Sequence, residues 1–212
     1  MERSPKRSLI SFNASCYRAL TWCSISTQAE RRSNSCPGAP RMFYRNKAQE
    51  KAAFAAVEAF SAPWSVKMLE IDHVGMYDTA AEEVGKVFIT TELGGGGSST
   101  AETVRIARRG VTNVVRHAGI LDRSIETART TWLDMPGGCF SFAEGDGLVE
   151  TMVDLGEPIE QGQVIARIHP TGRTGLAVQE VKAGISGLLA ARHFPGLVQA
   201  GDCLSVVAVR TR

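Results

Sequence analysis

The spacing of apolar and polar positions changes character twice along the chain. Over residues 1–46 it supports neither a helical nor a strand period. From Lys47 to Phe60, the positions Ala52, Phe54, Ala55, Val57, Ala59 and Phe60 sit among Lys and Glu in an amphipathic helical pattern, and Ala62-Pro63 stops it. Val66 to Ile71 predicts a short strand, Gly75 and Asp78 mark turns, and Thr79 to Val84 is at most a short helix. Lys86 to Leu93, which reads Lys-Val-Phe-Ile-Thr-Thr-Glu-Leu, is the strongest strand pattern in the chain. Gly94 to Gly97 follow it. Ser99 and Glu102 then have capping-box spacing, and Val104, Ala107, Val111, Val114, Val115 and Ala118 mark one face of a helix that Gly119 ends. Strand–helix alternation of this kind predicts an α/β layer with a mainly parallel sheet.

Beyond Arg123 the helical patterns stop and short strands between Gly and Pro turns take over. Strands are expected at Thr130–Met135, Cys139–Ala143, Leu148–Val153, Val164–Ile168, Leu176–Val181, Leu188–Ala191 and Leu204–Val209. Two stretches repeat an apolar-x-x-Gly-x-x-apolar frame: Pro158 to Ile165 and Leu197 to Leu204, offset by 39 residues. The organisation expected is therefore three-part. Residues 1–46 form a disordered or out-of-frame segment, 47–121 part of an α/β domain, and 122–212 a small β domain with an internal repeat.

Charge sharpens this division. Residues 1–46 hold eight Lys or Arg against two acids, a balance of +6, so the rest of a chain with net charge +2 carries −4. A mildly acidic folded part excludes a uniformly basic nucleic-acid binder. No run of eighteen apolar residues occurs, so no helical membrane span is expected. Of the five cysteines, Cys16, Cys23 and Cys36 lie in the first segment, and their spacings match no Cys-x-x-Cys zinc site. An odd cysteine count without a secretory signal favours a reducing compartment.

Glu92 is the candidate for chemistry. It ends the predicted strand just before four glycines, and in open α/β sheets ligands bind outside the carboxyl ends of strands. By position alone the reading as an ordinary solvated acid at a loop is the favoured one. The glycines are no phosphate cradle, since Ser98-Ser99-Thr100 lacks the lysine that such a loop requires. Leu69-Glu70-Ile71-Asp72, Gly75-Met76-Tyr77-Asp78-Thr79-Ala80-Ala81-Glu82, Thr91-Glu92-Leu93-Gly94-Gly95-Gly96-Gly97 and Val104-Arg105-Ile106-Ala107-Arg108-Arg109-Gly110 together resemble the succinylglutamate desuccinylase/aspartoacylase family, nearest to its ectoine-degradation branch. The resemblance runs from about Lys47 to the C-terminus. It implies a zinc-carboxypeptidase-like layer followed by a small all-β, barrel-sandwich-like domain of biotinyl/lipoyl look. It also implies zinc-dependent hydrolysis of the amide bond of a small N-acyl amino acid, with Glu92 as general base.

The same resemblance places the zinc ligands in a His-Gly-x-x-Glu motif and a later Asp-Leu-His-Ser-Gly-Gly motif, and neither occurs here. His73, His117, His169 and His193 are scattered, so no metal ligand is assigned and this chain is expected to bind no zinc and to be inactive as written. Three readings stand for residues 1–46: a transit peptide, a plain tail or a frameshift product. The third is favoured. Trp22 to Glu30, back-translated with suitable codons and read from the third base of each, yields Val-Phe-Asp-Leu-His-Ser-Gly-Gly. The expected chain is thus an N-terminally truncated family member, out of frame before about residue 47, whose sheet leaves Lys86–Leu93 beside an open edge. The alternative is a non-enzymatic binding module built on the β domain. A carrier needs a lysine at the turn between the halves; the 169–175 stretch has none, and Lys182 comes late.

Overall fold

The computed structural model describes residues 17–19, 22–27, 47–69, 80–81, 84–94, 99–126, 128–194 and 196–211. The two strands nearest the amino end, β1 (Tyr17–Ala19) and β2 (Trp22–Thr27), lie where the apolar pattern shows no strand period. Helix α1 spans Lys47–Phe60, the bounds its periodicity predicts, and buries Ala53, Ala56, Val57, Ala59 and Phe60. It ends one step earlier than the proline rule requires. Ser61 takes a left-handed φ of 58°, and its hydroxyl donates to the Glu58 carbonyl at 3.0 Å, satisfying one of the last helical carbonyls.

Strand β3 (Trp64–Leu69) lies parallel to β2 on one side and to β5 (Thr131–Asp134) on the other. Strand β4 covers only Thr90–Glu92, pairs antiparallel with β2 and ends the sheet. The long strand expected over Lys86–Leu93 is thus three residues at an edge, and Val87 faces solvent. The pairing stops at Ser24 although β2 runs on to Thr27, so β-propensity alone does not carry the ladder further. Within the α/β layer β2–β3 and β3–β5 are parallel, as expected, and the edge pair β2–β4 is antiparallel; the antiparallel β5–β13 pair then joins this layer to the antiparallel strands of the β domain.

Helix α2 (Ala101–His117) corrects two further expectations. Its cap is Thr100, not Ser99: Thr100 and Thr103 each accept the other's backbone N–H through their hydroxyls, at 3.1 and 2.9 Å. Its buried face is Thr103, Ile106, Gly110 and Asn113, while Val104 and Val111 face outward. Close approach of α1 explains the choice. A Cβ on Gly110 would lie 2.4–2.5 Å from atoms of the Phe60 ring, so only glycine lets the two helices meet there.

Asn113 is fully buried and acts as a strand-like clamp. Its side-chain amide donates to the Glu126 carbonyl at 2.8 Å and its carbonyl accepts from the Glu126 N–H at 3.0 Å. Asn113→Leu would keep the volume roughly but leave both backbone groups unpaired. We expect a loss of about 2 kcal/mol or more in urea unfolding, the scale of stranding buried polar groups. An unchanged midpoint would show that water satisfies Glu126 equally well.

The β strands expected after Arg123 are present with small boundary shifts: β6 (Phe140–Phe142), β7 (Gly147–Thr151), β9 (Val164–His169), β10 (Gln179–Lys182), β11 (Gly187–His193) and β13 (Cys203–Arg210). The short β8 (Pro158–Ile159) and β12 (Leu197–Val198) open the two repeated frames. The repeat extends to the pairing itself. Strand β7 pairs with β9 and β12, β11 pairs with β13 and β8, β10 pairs with β9, and β6 pairs with β13. Each half thus lends strands to the other, and Gly162 and Gly201 donate equivalently to the Ala183 and Ala143 carbonyls, both at 2.8 Å. Ile159, Ile165, Ile168, Leu189, Val198, Leu204 and Val207 fill the shared interior. The boundary expected at residues 121/122 does not interrupt the sheet, because β5 and β13 join β3 to β11.

Cys139 sits in a second apolar cluster with Ala191 and Val206. Burial, with a smaller contribution from Cys203 and Asp134 nearby, pushes its thiol up to about 11. Only the thiolate reacts with iodoacetamide. Peptide mapping after treatment at pH 8 should therefore find Cys139 unmodified in the folded protein and alkylated in denaturant; equal labelling in both would contradict this placement.

Candidate active site

Glu92 is the last residue of β4, so the strand end expected to carry it does so. Its backbone stands opposite Trp22 of β2 in the antiparallel register. The residues on either side of β4 are tied inward: Ile89 and Leu93 pack against the cluster of Ala53, Val57, Phe60, Ala62 and Ile106 between the helices and the sheet. Gly94 then turns the chain away at φ +98°, with the Thr103 methyl 3.6 Å from where a Cβ would project. Thr103 thus serves both the cap of α2 and the exit of the chain from Glu92. The sequence carried a signal for it in Thr100-x-x-Thr103, which the Ser99/Glu102 spacing obscured.

Glu92 is exposed to solvent, in keeping with the setting expected of an acid without a metal. The protein on its other side still raises its pKa above the usual glutamate value through partial desolvation. A carboxylate held in this way accepts a proton more readily near neutrality than a free one does, a property suited to a general base.

The histidines do not join it. His117 is in the exposed last turn of α2, His169 on β9 faces Glu150 at 2.9 Å, and His193 on β11 is buried with Nε2 3.1 Å from the Leu197 carbonyl oxygen. His73 lies outside the described residues, as do Glu70 to Asp72, Gly75 to Thr79, Glu82 and Gly95 to Gly97 of the motifs, and the short helix expected over Thr79–Val84 lies partly outside them. Among the described residues no three His, Cys, Asp or Glu side chains lie together as a metal would need. These residues do not fit a zinc centre, and no step through zinc is derived from them.

Residues 29–118 match the family model described as the succinylglutamate desuccinylase/aspartoacylase catalytic domain, so the match begins before Lys47 and inside the first segment. The chain is 42% identical over 163 residues to the N-alpha-acetyl-L-2,4-diaminobutyric acid deacetylase of Halomonas elongata, which is 76% of this chain and 48% of that protein. The product-bound ectoine utilization protein EutE (DoeB) of Ruegeria pomeroyi is similar at 44% identity and a TM-score of 0.80, covering 92% of this chain and 55% of its own. A succinylglutamate desuccinylase from Silicibacter sp. TM1040 is similar at 43% identity and a TM-score of 0.80, over 93% of this chain and 55% of its own. This chain spans about half the length of the relatives it matches. No helix among the described residues is long and apolar enough to cross a membrane.

Proposed function

We propose, from the premise that the chain belongs to the succinylglutamate desuccinylase/aspartoacylase family, that it carries the general-base half of a cytoplasmic, zinc-dependent N-acyl amino acid deacylase. The substrate class is a small N-acetylated diamino acid, and the bond cleaved is its linear amide. The observation that supports this best is Glu92, at the end of an edge strand, with a carboxyl whose affinity for protons is raised by its surroundings. In this reading Glu92 takes the proton of the attacking water and returns it to the leaving amine, so the one side chain serves both proton transfers.

Because the described residues do not fit zinc, the reading includes a chain that does not turn over by itself. An out-of-frame origin of the residues ahead of the family match, 1 to about 28, belongs to the same proposal, and the nucleotide sequence through codons 1–50 tests it; a single uninterrupted family frame there would overturn that part. The paired halves of the β domain support its reading as a barrel-sandwich-like module. A carrier role is the weaker use of it, because the connection from Pro170 to Val178 contains no lysine and Lys182 falls at the end of β10, beyond that turn.

The experiment compares the chain with a chimera in which the Halomonas elongata protein supplies everything ahead of Lys47. Hydrolysis of N-acetyl-2,4-diaminobutyrate and zinc content are measured for both. The chimera should bind zinc and turn over while the chain alone does neither. A zinc-loaded chimera with no turnover would remove the assignment, and stoichiometric zinc in the chain alone would remove its inactivity.

A further inference from the structure

Strand β6 is inside out. Its sequence is Phe-Ser-Phe, yet Ser141 is the buried residue while Phe140 and Phe142 are 41% and 54% exposed. The internal repeat supplies a control. With Ala143 and Ala183 as equivalent positions, β10 is the repeat mate of β6, and Phe140 and Phe142 correspond to Glu180 and Lys182. The fold is therefore satisfied by charged side chains at these positions, and packing does not call for rings at 140 and 142. Two exposed aromatics that the architecture does not require indicate contact with something else.

The two strands stand next to each other, with the Ser141 hydroxyl donating to the Lys182 carbonyl at 3.5 Å. Between them is a cavity of about 220 Å³. Its aromatic wall is the Phe140–Phe142 pair, with centroids 6.2 Å apart and rings inclined by 30°. Its polar wall is Glu144, Gln179, Glu180 and Lys182. Glu180 is shared by Arg167 at 3.7 Å and Lys182 at 3.9 Å, whereas Glu144 makes no ion pair among the described residues. Aromatic faces and a carboxylate without a cation both attract an organic cation. Lys182, at the rim, can meet a carboxylate.

We infer that this groove binds a small zwitterion bearing a side-chain ammonium, a compact diamino acid, with the ammonium between the rings and Glu144 and the carboxylate at Lys182. The choice of a diamino acid rests on the hydrolase reading, whose product it is, but the two are tested separately, because Glu92 is not part of the groove and the test reads binding, not turnover.

The probe is L-2,4-diaminobutyrate, titrated into the isotopically labelled chain by NMR. Saturable shifts should appear at residues 140–144 and 179–184. L-2-Aminobutyrate, which lacks the side-chain ammonium, should bind about tenfold more weakly. Phe140→Leu with Phe142→Leu should weaken the diamino acid by about tenfold, the range of a cation–π pair. Glu144→Gln, a surface change that leaves the strands alone, should weaken it as well. No saturable shift, equal binding of the two amino acids, or full affinity in both variants would overturn the site. So would the same shifts on raising protein concentration without ligand, because the rings would then be covered by a second copy of the chain.

Discussion

In the chimera with the Halomonas elongata upstream half, Glu92→Gln is expected to lower turnover by about a hundredfold or more while zinc content stays unchanged. Glutamine keeps the shape of the side chain and its place at the end of β4, but its amide cannot take the proton of the attacking water. Loss of the base removes stabilisation present only in the transition state, so the effect should fall on kcat and kcat/KM together. Full activity in the glutamine variant would leave a family scaffold with its base elsewhere.

The same substitution should act oppositely on stability. Desolvation raises the Glu92 pKa above its ordinary value of 4.5, so the folded state disfavours the ionised form. Above the raised pKa the carboxylate therefore costs stability. As pH falls through that pKa the cost is relieved, and below 4.5 both states are protonated and nothing remains. Glu92→Gln should raise the urea midpoint at pH 7 and lose that advantage at pH 4. A function that persists at a cost in stability is a common mark of a working site.

Gly187→Ala should unfold the β domain's junction with the rest of the sheet, costing about 3 kcal/mol, near the top of the range for overpacking. A Cβ there would stand 2.4 Å from the Ala208 carbonyl oxygen and 3.0 Å from a Val207 methyl. The first of these is backbone, held by the β11–β13 ladder, and cannot turn aside as a side chain would. Gly147, its repeat mate, meets the same obstacle in the His169 carbonyl oxygen at 2.5 Å. Gly147→Ala should cost a similar amount, because the two-residue β12 flanks Gly147 as the two-residue β8 flanks Gly187. Gly172→Ala is the control: nothing lies within 4 Å of its Cβ position, so its urea midpoint should stay at the native value. Equal midpoints for Gly187→Ala and Gly172→Ala would mean the two strands separate more easily than their ladder implies.

Much of this fold can be read along the chain. Helix α1 begins and ends where its apolar period does, and β9 and β13 follow the two repeated frames closely. Glu92 falls at a strand end, as its place before four glycines suggests. These features depend on neighbours within a few residues, which is the range that periodicity and turn chemistry report. The environment of Glu92 is different in kind. Its raised pKa comes from protein packed around it, and no local pattern distinguishes that from a solvated acid.

Partner choice is where local patterns stop being informative. The valine stripe of α2 looks like its inner face, but Phe60 against Gly110 and the clamp of Asn113 on Glu126 turn Val104 and Val111 outward and leave only Val114 of the stripe packed against the core. The repeat makes the point within one domain. Leu148 stands opposite His169, and Leu188, 40 residues later, stands opposite Ala208. They are the same residue on equivalent strands, yet Leu148 is 48% exposed and Leu188 is 7% exposed. Around Leu148 the outer face carries Glu150, Arg167 and Glu180 in an ion-paired row that water can solvate. Around Leu188 it carries Ala190 and Ala208, small and apolar, and Val66 and Leu133 of the neighbouring strands close over them. Periodicity makes each half amphipathic by itself, but which half is covered depends on the surface the α/β layer brings to it, and that surface is assembled only when the chain folds.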